Sequence, residues 1–300
     1  MSTPQSGIFA LGTASHTYLE FDLRPGSDGG DLIGEVASLR EPRTTMGGVN
    51  LVVGFRPELW RAVAPDQADP AVVGFNAPID GVEGFSMPAT QHDVVVWLSG
   101  SSYDVIFETA KAVIAALDRQ ATIVDETASW PYRHDRDLTG FIDGTENPTL
   151  VDAPDIALYP EGSPCAGGSV LLLQKWVHDS AAWDALPEAG QEAIMGRTKP
   201  ASIELEDKSP HSHVGATDQD RLGKIFRRNM PYGTVTSHGT MFVGFSAEQR
   251  RLSAMLDSMV GLTDGARDEL TRYTRALTGA YYFVPSATSL RRYSRETTDK

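Results

Sequence analysis

A single cysteine, Cys165, stands among the 300 residues. One thiol cannot build an intrachain disulfide or a multi-cysteine zinc or iron–sulfur site, so a bound metal would need histidine or carboxylate ligands. Positive charge is also scarce: 26 Lys and Arg stand against 40 Asp and Glu, a formal charge of −14. A surface with that balance repels phosphate backbones and anionic lipid, which argues against nucleic acid and membrane surfaces as partners. Long apolar runs are missing too. The longest, Val94–Leu98 and Val170–Leu173, have strand length and fall far short of the ~20 residues that span a bilayer. Met1–Gly7 has neither the basic start nor the apolar core of a secretory leader, so a cytoplasmic location is expected.

Hydrophobic residues make up 41% and charged residues 22% of the chain, the balance of a folded protein of one large or two smaller domains. One pattern occurs twice. Asp93–Leu98 reads as a strand, Ser-Gly-Ser-Ser follows, and Ile106, Ala110, Val113, Ile114 and Leu117 then share a helix face. In the second half Thr240–Phe245 reads as a strand and Ser246 as a helix N-cap with Gln249 three residues on. Leu252, Met255, Leu256, Met259 and Val260 form the apolar stripe, and Gly261 is the stop. Each unit has a strand before it (Asn50–Phe55, Ser169–Gln174) and another after it (Ala121–Val124, Ala280–Val284). The expectation is an α+β fold of two ferredoxin-like halves, 1–145 and 146–300, whose antiparallel sheets carry helices on one face. Residues 125–160, rich in charge, Gly and Pro, would connect them, and a crevice between the halves would hold a ligand.

Residues 140–148 read Gly-Phe-Ile-Asp-Gly-Thr-Glu-Asn-Pro. Gly144 allows close approach beside Asp143, so the carboxylate could be held against something flat, although Asp-Gly is equally a common turn. Most of the seven histidines read as structural or solvated: His16, His92 and His134 among polar neighbours, His178 at a strand end, His238 in a turn. His211-Ser212-His213-Val214 differs, because it leads into Lys224–Gly233, where Arg227, Arg228 and Asn229 could offer fixed donors to an anion or a bound oxygen species. Gly196-Arg197-Thr198-Lys199 adds further cations. A surface salt-bridge cluster is the plain alternative.

Taken together, the 140–148 stretch, Ser212-His213-Val214 and Arg227–Gly233 resemble the dye-decolorizing peroxidases, in particular the short, signal-free bacterial branch. Ala166–Ser169, Gln174–His178, Gly196–Lys199 and Thr278–Pro285 extend the likeness. The resemblance implies two ferredoxin-like halves with haem b in the crevice of the C-terminal one. It implies His213 as proximal ligand to the iron, Asp143, Arg227 and Asn229 on the distal side, Gly144 beside the haem and Arg197 on a haem propionate. His211 has no counterpart. A proximal histidine needs an acceptor on its other nitrogen; Asp268 is the candidate and Asp264 the rival. The implied reaction is reduction of hydrogen peroxide through a ferryl-oxo porphyrin radical, with Asp143 moving the proton and Arg227 stabilising charge. Dyes, phenolic compounds or Mn(II) would be the electron donors. Trp176, Trp183 and Tyr232 could relay electrons or simply pack. Haem modification, by iron removal or oxidation of a precursor, and non-catalytic haem carriage are the other readings. Homo-oligomers are expected from the family. The polar end Arg291–Lys300 lacks the apolar tag of members that enter protein nanocompartments.

Overall fold

The computed structural model describes residues 2–41, 43–44 and 47–295. Met1 of the expected leader-free start and residues 296–300 of the polar tail lie outside the described residues. In the N-terminal half, β1 (Ser15–Leu23), β2 (Gly47–Phe55), β3 (Val94–Gly100) and β4 (Ala121–Ser129) pair antiparallel in the order β2-β3-β1-β4. In the C-terminal half, β5 (Ser169–His178), β6 (Met230–Gly233), β7 (His238–Ser246) and β8 (Ala280–Val284) pair in the order β6-β7-β5-β8. Both halves thus run second, third, first, fourth. β8 meets β2 at Phe283 and Phe55, and β6 meets β4 at Tyr232 and Ser129. The eight strands therefore close on themselves.

The helices that matter for the site are α1 (Gly29–Ala37), α2 (Tyr103–Leu117), α3 (Glu188–Met195), α4 (His213–Ala216) and α5 (Gln249–Met259). The start of α5 departs from expectation. β7 runs through Ser246, keeping that residue extended, and Glu248 is the cap; Ser246 Oγ instead accepts the Glu248 N–H at 3.0 Å. Gly261 does stop the helix, in the left-handed region at φ 83°.

Alternation along the strands decides what each face meets. Val94, Val96 and Leu98 point outward onto Ile106, Val113 and Leu117 of α2. Val95 and Trp97 point inward and meet Leu171, Leu173, Val243 and Phe245 of the other half. Val170, Leu172 and Trp176 face outward again, onto Leu252, Met255 and Leu256 of α5. Each fully buried side chain of this kind contributes about 1.5–3 kcal/mol. The expected crevice between the halves is therefore absent, because the two helix-free faces bury each other. The open space lies on the other side of the C-terminal sheet, under α5. No described helix is long and apolar enough to cross a membrane.

Candidate active site

A cavity of about 220 Å³ opens between the outer face of the C-terminal sheet, α5 and the segments 137–146 and 195–227. Leu172, Trp176, Phe242, Leu252, Met255 and Leu256 give it apolar walls; Asp137, Asp143, Arg197, His213, Arg227 and Asn229 face it with polar groups. Among the described residues no cluster of three or more His, Cys, Asp or Glu could hold a bare metal ion.

His213 begins α4, which Ser212 caps by accepting the Gly215 N–H. Its Nδ1 lies 2.7 Å from Asp268 Oδ2. Asp268 is 0% exposed, and its second oxygen accepts the Leu270 N–H at 2.8 Å. A carboxylate fixed on both oxygens accepts the Nδ1 proton, which leaves the lone pair on Nε2. Asp264 stands elsewhere, 3.7 Å from His211 Nδ1.

The 140–148 segment forms a tight turn. Gly144 is left-handed at φ 79°, and a Cβ there would come 3.2 Å from Asn147 Nδ2. The turn lets the Gly144 N–H donate to Asp143 Oδ1 at 2.7 Å. Asn147 then clamps the segment to a distant one: its Nδ2 donates to the Arg227 carbonyl at 2.9 Å and its Oδ1 accepts the Arg227 N–H at 2.8 Å. Asn229 Oδ1 accepts the Val243 N–H at 3.0 Å, which turns its amide Nδ2 toward Asp143 Oδ1, 3.5 Å away. Arg227 Nε is buried with no hydrogen-bond partner. Its neighbour Arg228 points into the barrel instead, donating to the carbonyls of Ile8 and Ala10 and lying over Trp97. The two arginines therefore separate, and only Arg227 serves the cavity.

Arg197 is buried at the cavity rim. It donates to the Ser202 carbonyl at 2.7 Å and pairs with Glu146 and, at 3.4 Å, Glu204. Trp176 lines the cavity; Trp183 is packed under Phe141 with its indole N–H on the Thr139 carbonyl at 3.0 Å; Tyr232 lies on β6. Both tryptophans are buried.

Sequence reasoning missed Asp137 and the reach of Asn147. Asp137 lines the cavity beside Asp143 while one oxygen accepts both the N–H and the hydroxyl of Thr139, at 2.8 and 2.5 Å. Burial, and then the Asp143 charge, push its carboxyl up to about 6. No signal beyond proximity to Asp143 marked it. Asn147 was readable as a turn residue, and its reach to Arg227 was not.

A sequence profile described as Dyp-type peroxidase, C-terminal, matches residues 134–289. A dye-decolorizing peroxidase of Brevibacterium linens is 34% identical over 301 residues, covering 95% of this chain and 81% of the relative. One from Rhodococcus erythropolis is 32% identical over 290 residues, covering 92% and 84%. Among solved structures, a dye-decolorizing protein from V. cholerae matches with a TM-score of 0.87 at 33% identity, covering 96% of this chain and 99% of that one. A DypB variant from Rhodococcus jostii RHA1, solved in complex with heme, matches with a TM-score of 0.86 at 31% identity over 97% and 99%.

Proposed function

The chain belongs to the dye-decolorizing peroxidase family and is a haem-dependent peroxidase, and from that premise we propose that it reduces hydrogen peroxide with haem b bound through His213. Dyes, phenolic compounds or Mn(II) supply the electrons, a reading supported by the relatives' names and by a DypB variant solved in complex with manganese. The two four-stranded sets are ferredoxin-like halves divided near residue 145, as their common strand order supports.

The residues fit the group. The cavity has apolar walls for a flat ring, and one imidazole is oriented by a buried carboxylate. A buried guanidinium nitrogen, Arg227 Nε, still lacks a partner there. When bound, haem supplies a redox-active iron and a conjugated ring able to hold oxidising equivalents. His213 Nε2 would hold the iron, and Asp268 would strengthen that donor by drawing on Nδ1–H. Asp143 would take the proton from one oxygen of hydrogen peroxide and return it to the other, so that water can leave. Its backbone and Asn229 contacts hold the carboxylate ready for that transfer. Arg227 would stabilise negative charge as the O–O bond breaks, with its main chain fixed by Asn147. Arg197 would meet a propionate by giving up part of its pairing with Glu146 and Glu204.

The observation that carries this reading is the convergence of the His213–Asp268 pair, Asp143 and Arg227 on one cavity. The test is peroxide-dependent bleaching of an anthraquinone dye by the haem-loaded protein. Arg227→Leu should slow it by about 10²–10³-fold. A wild-type rate no higher than that of free haem, or accumulation of metal-free porphyrin in place of oxidised dye, overturns the reading.

A further inference from the structure

Asn147 does not line the cavity, yet it touches both segments that carry the distal groups. Phe226 and Arg227 pair with Phe245 and Gly244 of β7, and the Arg228 N–H then donates to the Val243 carbonyl at 2.8 Å. Residues along an antiparallel ladder alternate between pairs that exchange hydrogen bonds and pairs that do not. Arg227 stands in the second kind of position, so its own N–H and carbonyl point away from β7. The Asn147 amide meets both there, accepting the N–H at 2.8 Å and donating to the carbonyl at 2.9 Å. One side chain thus takes the place of a neighbouring strand. The Asn147 backbone N–H donates in turn to the Gly144 carbonyl at 2.9 Å, closing the turn beside Asp143. Gly144 leaves the room that the amide needs, since a Cβ there would stand 3.2 Å from Asn147 Nδ2.

We propose that Asn147 is a positioning residue for peroxide cleavage, placing the Arg227 guanidinium against the Asp143 carboxylate by joining their two segments. The proposal rests on the peroxidase reading. Proton transfer and charge stabilisation act on the same O–O bond, so the two groups need a fixed spacing. Asp143 is anchored on its own side, where its N–H donates to the Asp135 carbonyl at 2.7 Å. Arg227 is the member being placed. Its Nε is buried without a hydrogen-bond partner, so the main chain decides where the guanidinium stands. The other link between the segments, Asn229 Nδ2 to Asp143 Oδ1, spans 3.5 Å and is weaker than either bond of the Asn147 amide. Asn147 touches no reacting atom and works only through Arg227, so its removal slows the peroxide step and leaves the electron donor's KM alone.

The experiment is a double-mutant cycle on holoenzymes: wild type, Asn147→Ala, Arg227→Leu and both changes together. Stopped-flow absorbance gives the rate constant with hydrogen peroxide. A spectral titration gives the fluoride affinity of the resting ferric form, an equilibrium readout that needs no turnover. Asn147→Ala should lower the peroxide rate constant by about 10–10²-fold and weaken fluoride binding, with the KM for the dye unchanged. In the Arg227→Leu background both losses should shrink to less than about twofold, because the group being placed is gone. Hydrogen exchange resolved to single amides should show the Arg227 N–H protected in wild type and exchanging faster in Asn147→Ala. A loss below about threefold, an equal loss in both backgrounds, or an Arg227 amide that exchanges no faster in the variant overturns the positioning role. Should Asn147→Ala fail to retain haem, Asn147→Asp decides by the same cycle, since it keeps the size and the acceptor and lacks the donor. Wild type inert toward peroxide would sink the peroxidase reading as well, whereas an active wild type with an additive cycle sinks the positioning role alone.

Discussion

Between its first and second strands the N-terminal half has residues 24–46, containing α1; the C-terminal half has residues 179–229, containing α3, α4, Arg197, His213 and Arg227. The outer sheet faces differ in step. In the N-terminal half Val94, Val96 and Leu98 are fully buried against α2. In the C-terminal half Gln174 and Thr240 interrupt Leu172, Trp176 and Phe242, and α5 covers a cavity instead of a filled core. One strand order thus supports a solid layer in one half and a binding site in the other. The site comes from a longer crossover and from polar residues at a few outward-facing strand positions, with no change in the sheet itself.

The comparison breaks most visibly at Asp143. Asp143→Ala should slow the peroxide step by about 10²–10⁴-fold, followed by stopped-flow absorbance, while haem stays bound. A slowing of less than threefold would move the proton transfer elsewhere. Next comes the solid layer: Leu98→Ala should cost about 2–5 kcal/mol in urea unfolding with peroxidase kinetics unchanged. Leu256→Ala, beside the cavity, should cost less than Leu98→Ala in the same assay, since its neighbours already border open space.

Two buried titratable groups, one inside the barrel and one at the cavity, sharpen the contrast through opposite signs. His16 lies inside the barrel, accepting the Trp97 indole N–H at 3.1 Å, and burial lowers it to about 4. Its folded value is below its ordinary one, so its contribution is present above about 6.5 and is lost as pH falls toward 4. Asp137 is raised to about 6, so its contribution is present below its ordinary range and is lost as pH rises through 6. Each is worth roughly 3 kcal/mol at most. Between pH 4 and 6, stability should rise more steeply with pH in Asp137→Asn than in wild type, and less steeply in His16→Gln. Equal slopes in all three proteins would remove the assignment. The smallest effect is expected at Asp268→Asn, about 10–100-fold in haem affinity by titration.

The repeated strand-and-helix pattern was legible because alternation and helical periodicity are local, and β3 with α2 and β7 with α5 fall close to where periodicity placed them. Closure of the sheet was not legible, since it depends on single-residue pairings such as Phe55 with Phe283. At the site, short motifs pointed to His213, Asp143 and Arg227, and Asp268 was nameable because a ligating imidazole requires an acceptor. Asp137 and the clamp from Asn147 to Arg227 escaped notice for one reason. Their character comes from burial and from partners distant in the chain or across a turn, and the residue type alone reads as an ordinary loop acid or turn asparagine.

The most direct measurement is a haem titration followed at the Soret band for wild type and His213→Ala, with and without added imidazole. The account predicts saturation at one haem per chain for wild type, loss of the histidine-ligated spectrum and of peroxide turnover in the variant, and partial return of both with imidazole. An unchanged spectrum and affinity in His213→Ala would contradict it.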